Sequence, residues 1–110
     1  MASTYGILGQ SNPAADTLTD AYEVPAATSA IISTITVCNR SGTPTTFRLA
    51  VAPGGAANDD AHYLAYDAPL AANEVWGWTI GLTLDDGDVV RVYAGDATVS
   101  FNIFGEELTA

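Results

Sequence analysis

The run AIISTITVCN, residues 30–39, admits a strand and little else. Six of its ten side chains are β-branched. Such side chains are stiff at χ1 and pack best on a pleated surface. Read at period two, Ile31, Ser33, Ile35 and Val37 share one face, and Ile32, Thr34, Thr36 and Cys38 the other. The period recurs along the chain. TTFRLAV (45–51) sets Phe47, Leu49 and Val51 against Thr46, Arg48 and Ala50. VWGWTI (75–80) puts Trp76, Trp78 and Ile80 together. In VVRVYA (89–94) Val90 and Val92 alternate with Arg91, and TVSFNIF (98–104) aligns Val99, Phe101 and Ile103. HYLAYD (62–67), YGILGQ (5–10, an edge strand) and AYEVP (21–25, stopped by Pro25) complete the set. No helix-period stripe appears, and DAPLAANE (67–74) offers one turn at most. The pattern predicts an all-β single domain over 1–110: an antiparallel β-sandwich or jelly-roll-like fold of seven to eight short strands.

Turn chemistry separates the strands. NRSGTP (39–44) predicts a hairpin joining the 30–39 run to TTFRLAV, and Gly95–Asp96 predicts a second joining VVRVYA to TVSFNIF. SNPAADTLTD (11–20), PGGAANDDA (53–61) and LDDGD (84–88) read as exposed loops or turns.

Charge excludes several partners. The chain carries thirteen acids, three arginines (Arg40, Arg48, Arg91) and no lysine, for a formal net charge of -10. Nucleic-acid binding needs cations to displace counterions from phosphates, so no nucleic-acid partner is expected, and no anionic membrane surface either. Cys38 is alone, which rules out an intrachain disulfide and suggests a small buried apolar group. MASTYGILGQS lacks the basic and apolar regions of a signal peptide, and no run approaches the roughly 20 apolar residues of a bilayer span. The expectation is a soluble protein synthesised in a cytoplasm.

The candidates for chemistry are sparse. Asp59–Asp60 and Asp85–Asp86–Gly87–Asp88 are acid clusters, but they lack the spaced acids and closing glutamate of a calcium loop, and Asp and Gly suit a solvated turn. His62 is the only histidine; with Cys38 it falls short of the usual zinc ligand set, and no nucleophile-elbow sequence accompanies it. The expectation is no enzyme, no metal and no cofactor. Tyr63, Tyr66, Trp76 and Trp78 are candidates for a sugar platform or, with period two favouring it, for core or interface packing. Arg48 and Arg91, mid-strand and outward, are candidate assembly residues, as are Glu106 and Glu107, which an arginine of the same or a neighbouring subunit would meet.

Four segments carry a resemblance: GILGQSNPAA, STITVCNRSGTPTTFRLAVAPGG, HYLAYDAPLAANE and GDVVRVYAGDATVSFNIFGEEL. Through VCNRS…TTFR, HYLAYD, GDVV.VYA and the closing SF.IFG.E, the chain resembles small virion proteins of tailed bacteriophages from Gly6 to Glu107. The resemblance implies a non-enzymatic homo-oligomeric structural protein, a trimer by expectation. It would decorate or cement the outer capsid surface against the major capsid protein. A neck, tail or fibre-base adaptor is the alternative. A carbohydrate-binding module for a host surface is the reading from the aromatics.

Overall fold

The computed structural model describes residues 2–109. It contains eight strands: β1 (Ala2–Ser11), β2 (Thr19–Glu23), β3 (Thr28–Asn39), β4 (Thr45–Ala52), β5 (Tyr63–Leu70), β6 (Val75–Leu84), β7 (Val89–Ala94) and β8 (Val99–Thr109). Two four-stranded antiparallel sheets form, in the orders β1-β8-β3-β6 (sheet A) and β2-β7-β4-β5 (sheet B). The sandwich expectation holds, with eight strands.

The pairing has a simple logic. β1 pairs with β8, β2 with β7, β3 with β6 and β4 with β5. The chain is thus one long antiparallel ribbon whose tip is the segment 53–62, containing two short 3-10 turns, Pro53–Gly55 and Asp60–His62. Successive rungs of the ribbon go alternately to sheet A and sheet B. The β3·β8 and β4·β7 ladders then close each sheet. This is the jelly-roll arrangement.

Both predicted hairpins are corrected by it. β3 lies in sheet A and β4 in sheet B, and the same holds for β8 and β7. Residues 40–44 and 95–98 are arches that cross from one sheet to the other. The turn residues are those of a tight turn, but each adjoining strand has a largely apolar inner face. Facing those faces across one core buries more than pairing the strands edge to edge. DAPLAANE divides: β5 continues to Leu70, and a single turn follows, closed by the Glu74 amide on the Ala71 carbonyl.

The core is built from both sheets. Phe47, Leu49, Val90 and Val92 of sheet B meet Ile32, Ile35, Val37, Phe101 and Ile103 of sheet A, all at most 1% exposed. The Phe47 ring lies 6.3 Å from that of Phe101 and 5.0 Å from that of Trp76. Strict alternation does not survive in β3. Its register shifts between Ile32 and Thr34 against both neighbours, so Thr28, Ala30 and Ile32 point inward, then Ile35, Val37 and Asn39. A β-bulge of this kind changes the phase of the strand. Ile31, which period two groups with Ile35, is left 36% exposed on the outside. Cys38, expected in the core, falls on the outer face and is half-buried.

The bulge requires Gly105. A Cβ at this position would run into the Ile31 carbonyl oxygen. At the arch end of the sandwich, Asn39 is 1% exposed and sends Nδ2 to the carbonyls of Thr43 (2.8 Å) and Ala71 (3.1 Å). Its Oδ1 accepts from the Ser41 amide. Asn12 Nδ2 similarly reaches the carbonyls of Ala97 and Val99. Side-chain amides thus satisfy backbone groups that the arches cannot pair with each other.

Candidate functional surfaces

The two outer faces of the sandwich differ in charge. Sheet B carries ion pairs. Arg48 on β4 donates from Nε to Asp67 at 2.7 Å, and its guanidinium lies 4.0 Å from the Tyr66 ring centroid and 4.2 Å from that of Tyr93. The hydrogen bond from Arg48 to Asp67 holds the guanidinium even further toward its protonated form. Tyr93 donates to Asp16 at 2.9 Å, which raises its phenol above the ordinary range. Tyr63 and Tyr66 meet edge to face with centroids 4.9 Å apart. Arg91 on β7 donates to Asp20 at 2.9 Å and to the carbonyl of Ala56 at 2.8 Å, tying the ribbon tip to β2. Both strand arginines therefore have acids within their own chain.

The ribbon-tip end of the sandwich holds both acid clusters, and the opposite, arch end carries Arg40, which donates to the Ala97 carbonyl. Asp88 accepts from the amides of Gly54 (2.8 Å) and Asp85 (2.9 Å), Asp85 from that of Asp86, and Asp59 from that of Ala61. These carboxylates brace turns. Among the described residues no group of three or more His, Cys, Asp or Glu is arranged to hold a metal ion. His62 sits at the ribbon tip and Cys38 at the opposite, arch end of β3, so the fold separates the two residues.

Glu106 and Glu107 diverge. Glu106 points outward from sheet A and accepts a hydrogen bond from Ser3 Oγ. Glu107 points between the sheets and accepts from the Tyr22 hydroxyl at 2.6 Å. Burial, then this hydrogen bond, pushes the Tyr22 phenol well above its usual pKa. Among the described residues neither glutamate meets an arginine. Trp76 and Trp78 lie inward on the edge strand β6, half-buried, with rings 5.5 Å apart and Trp76 against Phe47. The structure thus splits the four aromatics, with the tryptophans against the core and the tyrosines around Arg48.

The outer face of sheet A has the feature that residue-by-residue reading missed. The strands β1, β3 and β6 contain no charged residue, and β8 contains only Glu106 and Glu107. Tyr5 (78% exposed), Ile7 (60%), Ile31 and Val75 (68%) stand on this face among serines and threonines. Tyr5, Ile7, Ile31, Ser33, Phe104 and the Glu106 carboxylate line a shallow groove of about 400 Å³, floored where Gly6 and Gly105 lack side chains. The signal was present in the sequence as three strand-length segments free of charge in a chain otherwise rich in acids.

Comparison of the chain with protein-family models, with curated proteins and with solved structures finds no match.

Proposed function

We propose that this protein is a non-enzymatic structural protein of a bacteriophage virion that decorates the outer capsid surface as a homo-oligomer. The observation that carries the assembly reading is the charge asymmetry of the sandwich. One face presents ion pairs and the ribbon-tip end presents acids, while the other face carries a single carboxylate, Glu106, and exposes Tyr5, Ile7, Ile31 and Val75. A face so poor in charge, with Tyr5, Ile7 and Ile31 exposed around one groove, has the character of a surface that another protein covers. The phage assignment is supported by the sequence resemblance over Gly6 to Glu107. The hydrogen-bonded carboxylates and arginines support a scaffolding use of the polar groups, since each closes a turn or braces a strand.

The test is cryo-electron microscopy of particles carrying the protein, with mass spectrometry to identify it. Density for the sandwich repeating over the capsid lattice supports decoration. A single ring on the portal axis selects the neck or tail position instead. Absence of the chain from purified particles overturns the proposal.

A further inference from the structure

We infer that the free edge of β1, over residues 2–7, takes an extended basic segment of another polypeptide as a fifth strand of sheet A. The inference rests on the assembly reading and deepens it by naming the kind of contact.

A sheet edge presents a row of unpaired backbone N–H and C=O groups, and what satisfies such a row is another strand. Three of the four edges in this sandwich are interrupted. β2 has five residues, with Asp20, Glu23 and a register shift among them. β5 carries Asp67 at φ 49°, Pro69 and two register shifts. β6 slips register between Thr79 and Leu82, with Gly81 between them at φ 63°. β1 differs. Its shift lies between Ile7 and Gly9, and residues 2–7 ahead of it hold no charge and no proline. All of them are exposed, so both faces of this stretch are bare. Among the described residues, its backbone pairs only with β8. The strand is fixed just beyond it. Gly9 packs against the Ala21 carbonyl, Asn12 holds the carbonyls of Ala97 and Val99, and Pro13 is buried. Residues 2–7 are therefore an extended edge set in place with one side open.

Charge selects the segment. At a formal net charge of -10 the chain repels an acidic segment and attracts a basic one. The strands of sheet A contain no cation, and their only acids are Glu106 and Glu107 on β8, the strand next to this edge. Glu106 pairs across the ladder with Tyr5, which is 78% exposed. Its Oε2 accepts from Ser3, and its Oε1 has no partner among the described residues. An added strand lies about two strand spacings, roughly 10 Å, from β8. A lysine or arginine placed beside Tyr5 lays its stem across the ring and turns its cation toward Glu106. An apolar residue beside Ile7 continues the exposed apolar patch. The fitting segment is thus extended, free of proline and acid, and carries one cation flanked by apolar side chains on the same face.

The experiment is a titration of the full chain followed by NMR and amide hydrogen exchange. The probe is the acetylated, amidated peptide TVTKTVT, which sets valine, lysine and valine on one face. It is expected to shift the amides of residues 2–7 and 104–108 and to leave those of sheet B in place. Exchange of the residue 2–7 amides is expected to slow several-fold, because the new ladder engages them. The acidic counterpart TVTETVT is expected to bind about 10-fold more weakly. Tyr5→Ser is expected to weaken the lysine peptide about 2- to 5-fold. Glu106→Gln is expected to narrow its advantage over the acidic peptide, and added salt to weaken it. Circular dichroism confirms that each variant is folded. Shifts without slowed exchange, equal affinity for the two peptides, or no response at millimolar TVTKTVT overturns the inference. So does a wild type that is dimeric by light scattering with these amides already protected, since a second copy then holds the edge. Each of these outcomes refutes only the edge contact. The virion experiment tests the assembly reading separately.

Discussion

Gly105 is the residue on which the register of sheet A turns. It lies opposite Ile32, where β3 is bulged, and a methyl group there collides with the Ile31 carbonyl. Backbone cannot move aside as a side chain can. Gly105→Ala is therefore expected to lose about 2–3 kcal/mol, at the upper end of overpacking costs. Gly6→Ala, in open space one strand away, should change stability by less than about 0.5 kcal/mol. Urea melts of both variants check the contrast, and equal losses would remove Gly105 from this role. Tyr22 is the second such residue. Its hydroxyl and Glu107 satisfy each other between the sheets. Tyr22→Phe should cost about 1–2 kcal/mol at neutral pH, because the half-buried carboxylate loses a donor. The pH dependence has a definite sign. The folded state holds the phenolic proton more tightly than the unfolded chain, whose pKa is near 10. That contribution is complete below pH 10 and is lost as pH rises toward the folded pKa. Thermal melts from pH 8 to 11.5 should show a steeper fall for wild type than for Tyr22→Phe.

At the scale of elements, the strands were legible and their partners were not. Period two located the strands and the inward positions Phe47, Leu49, Trp76, Trp78, Val90, Val92, Phe101 and Ile103. It failed at β3, and in β4 after Leu49, where the register against β5 shifts and Ala50 and Ala52 are buried while Val51 is only half-buried, because a bulge leaves no mark in composition. At β3 only the glycine across the ladder signals it, and Gly105 lies more than seventy residues away. The hairpins failed for a related reason: a short polar turn suits an arch between sheets as well as a hairpin within one. Of the candidate site, the outward setting of Arg48 and Arg91 was legible, but not their acids, because Asp67 and Asp20 are brought to them by cross-strand pairing. Arg91 also has a role as a fastener. It joins β2 to the ribbon tip through Asp20 and the carbonyl of Ala56. Arg91→Met keeps the apolar stem and removes the donors. Hydrogen exchange should quicken several-fold across residues 53–62 while the sheet interiors stay protected, as expected for local opening. Unchanged exchange at the tip would show that the loop holds itself.

For the whole molecule, the ladder order sets the folding problem. Apart from β4 with β5, no strand pairs with its neighbour in sequence, and β1 must find β8 across nearly the entire chain. Loop closure on that scale precedes any reward from contacts, so refolding is expected in the millisecond-to-second range of non-local β proteins. Stopped-flow tryptophan fluorescence reads this directly, since Trp76 is packed against Phe47. A microsecond phase carrying the full amplitude would contradict it.

The pairing of Ala2 with Thr109 has a mechanical meaning. A load drawn between those two positions acts across the β1·β8 ladder and opens its hydrogen bonds one after another, as a zip opens. The same load applied along β3, which is flanked on both sides by β6 and β8, would have to shear two ladders at once. The sandwich is thus soft when peeled from residues 2 and 109 and stiff along its central strands.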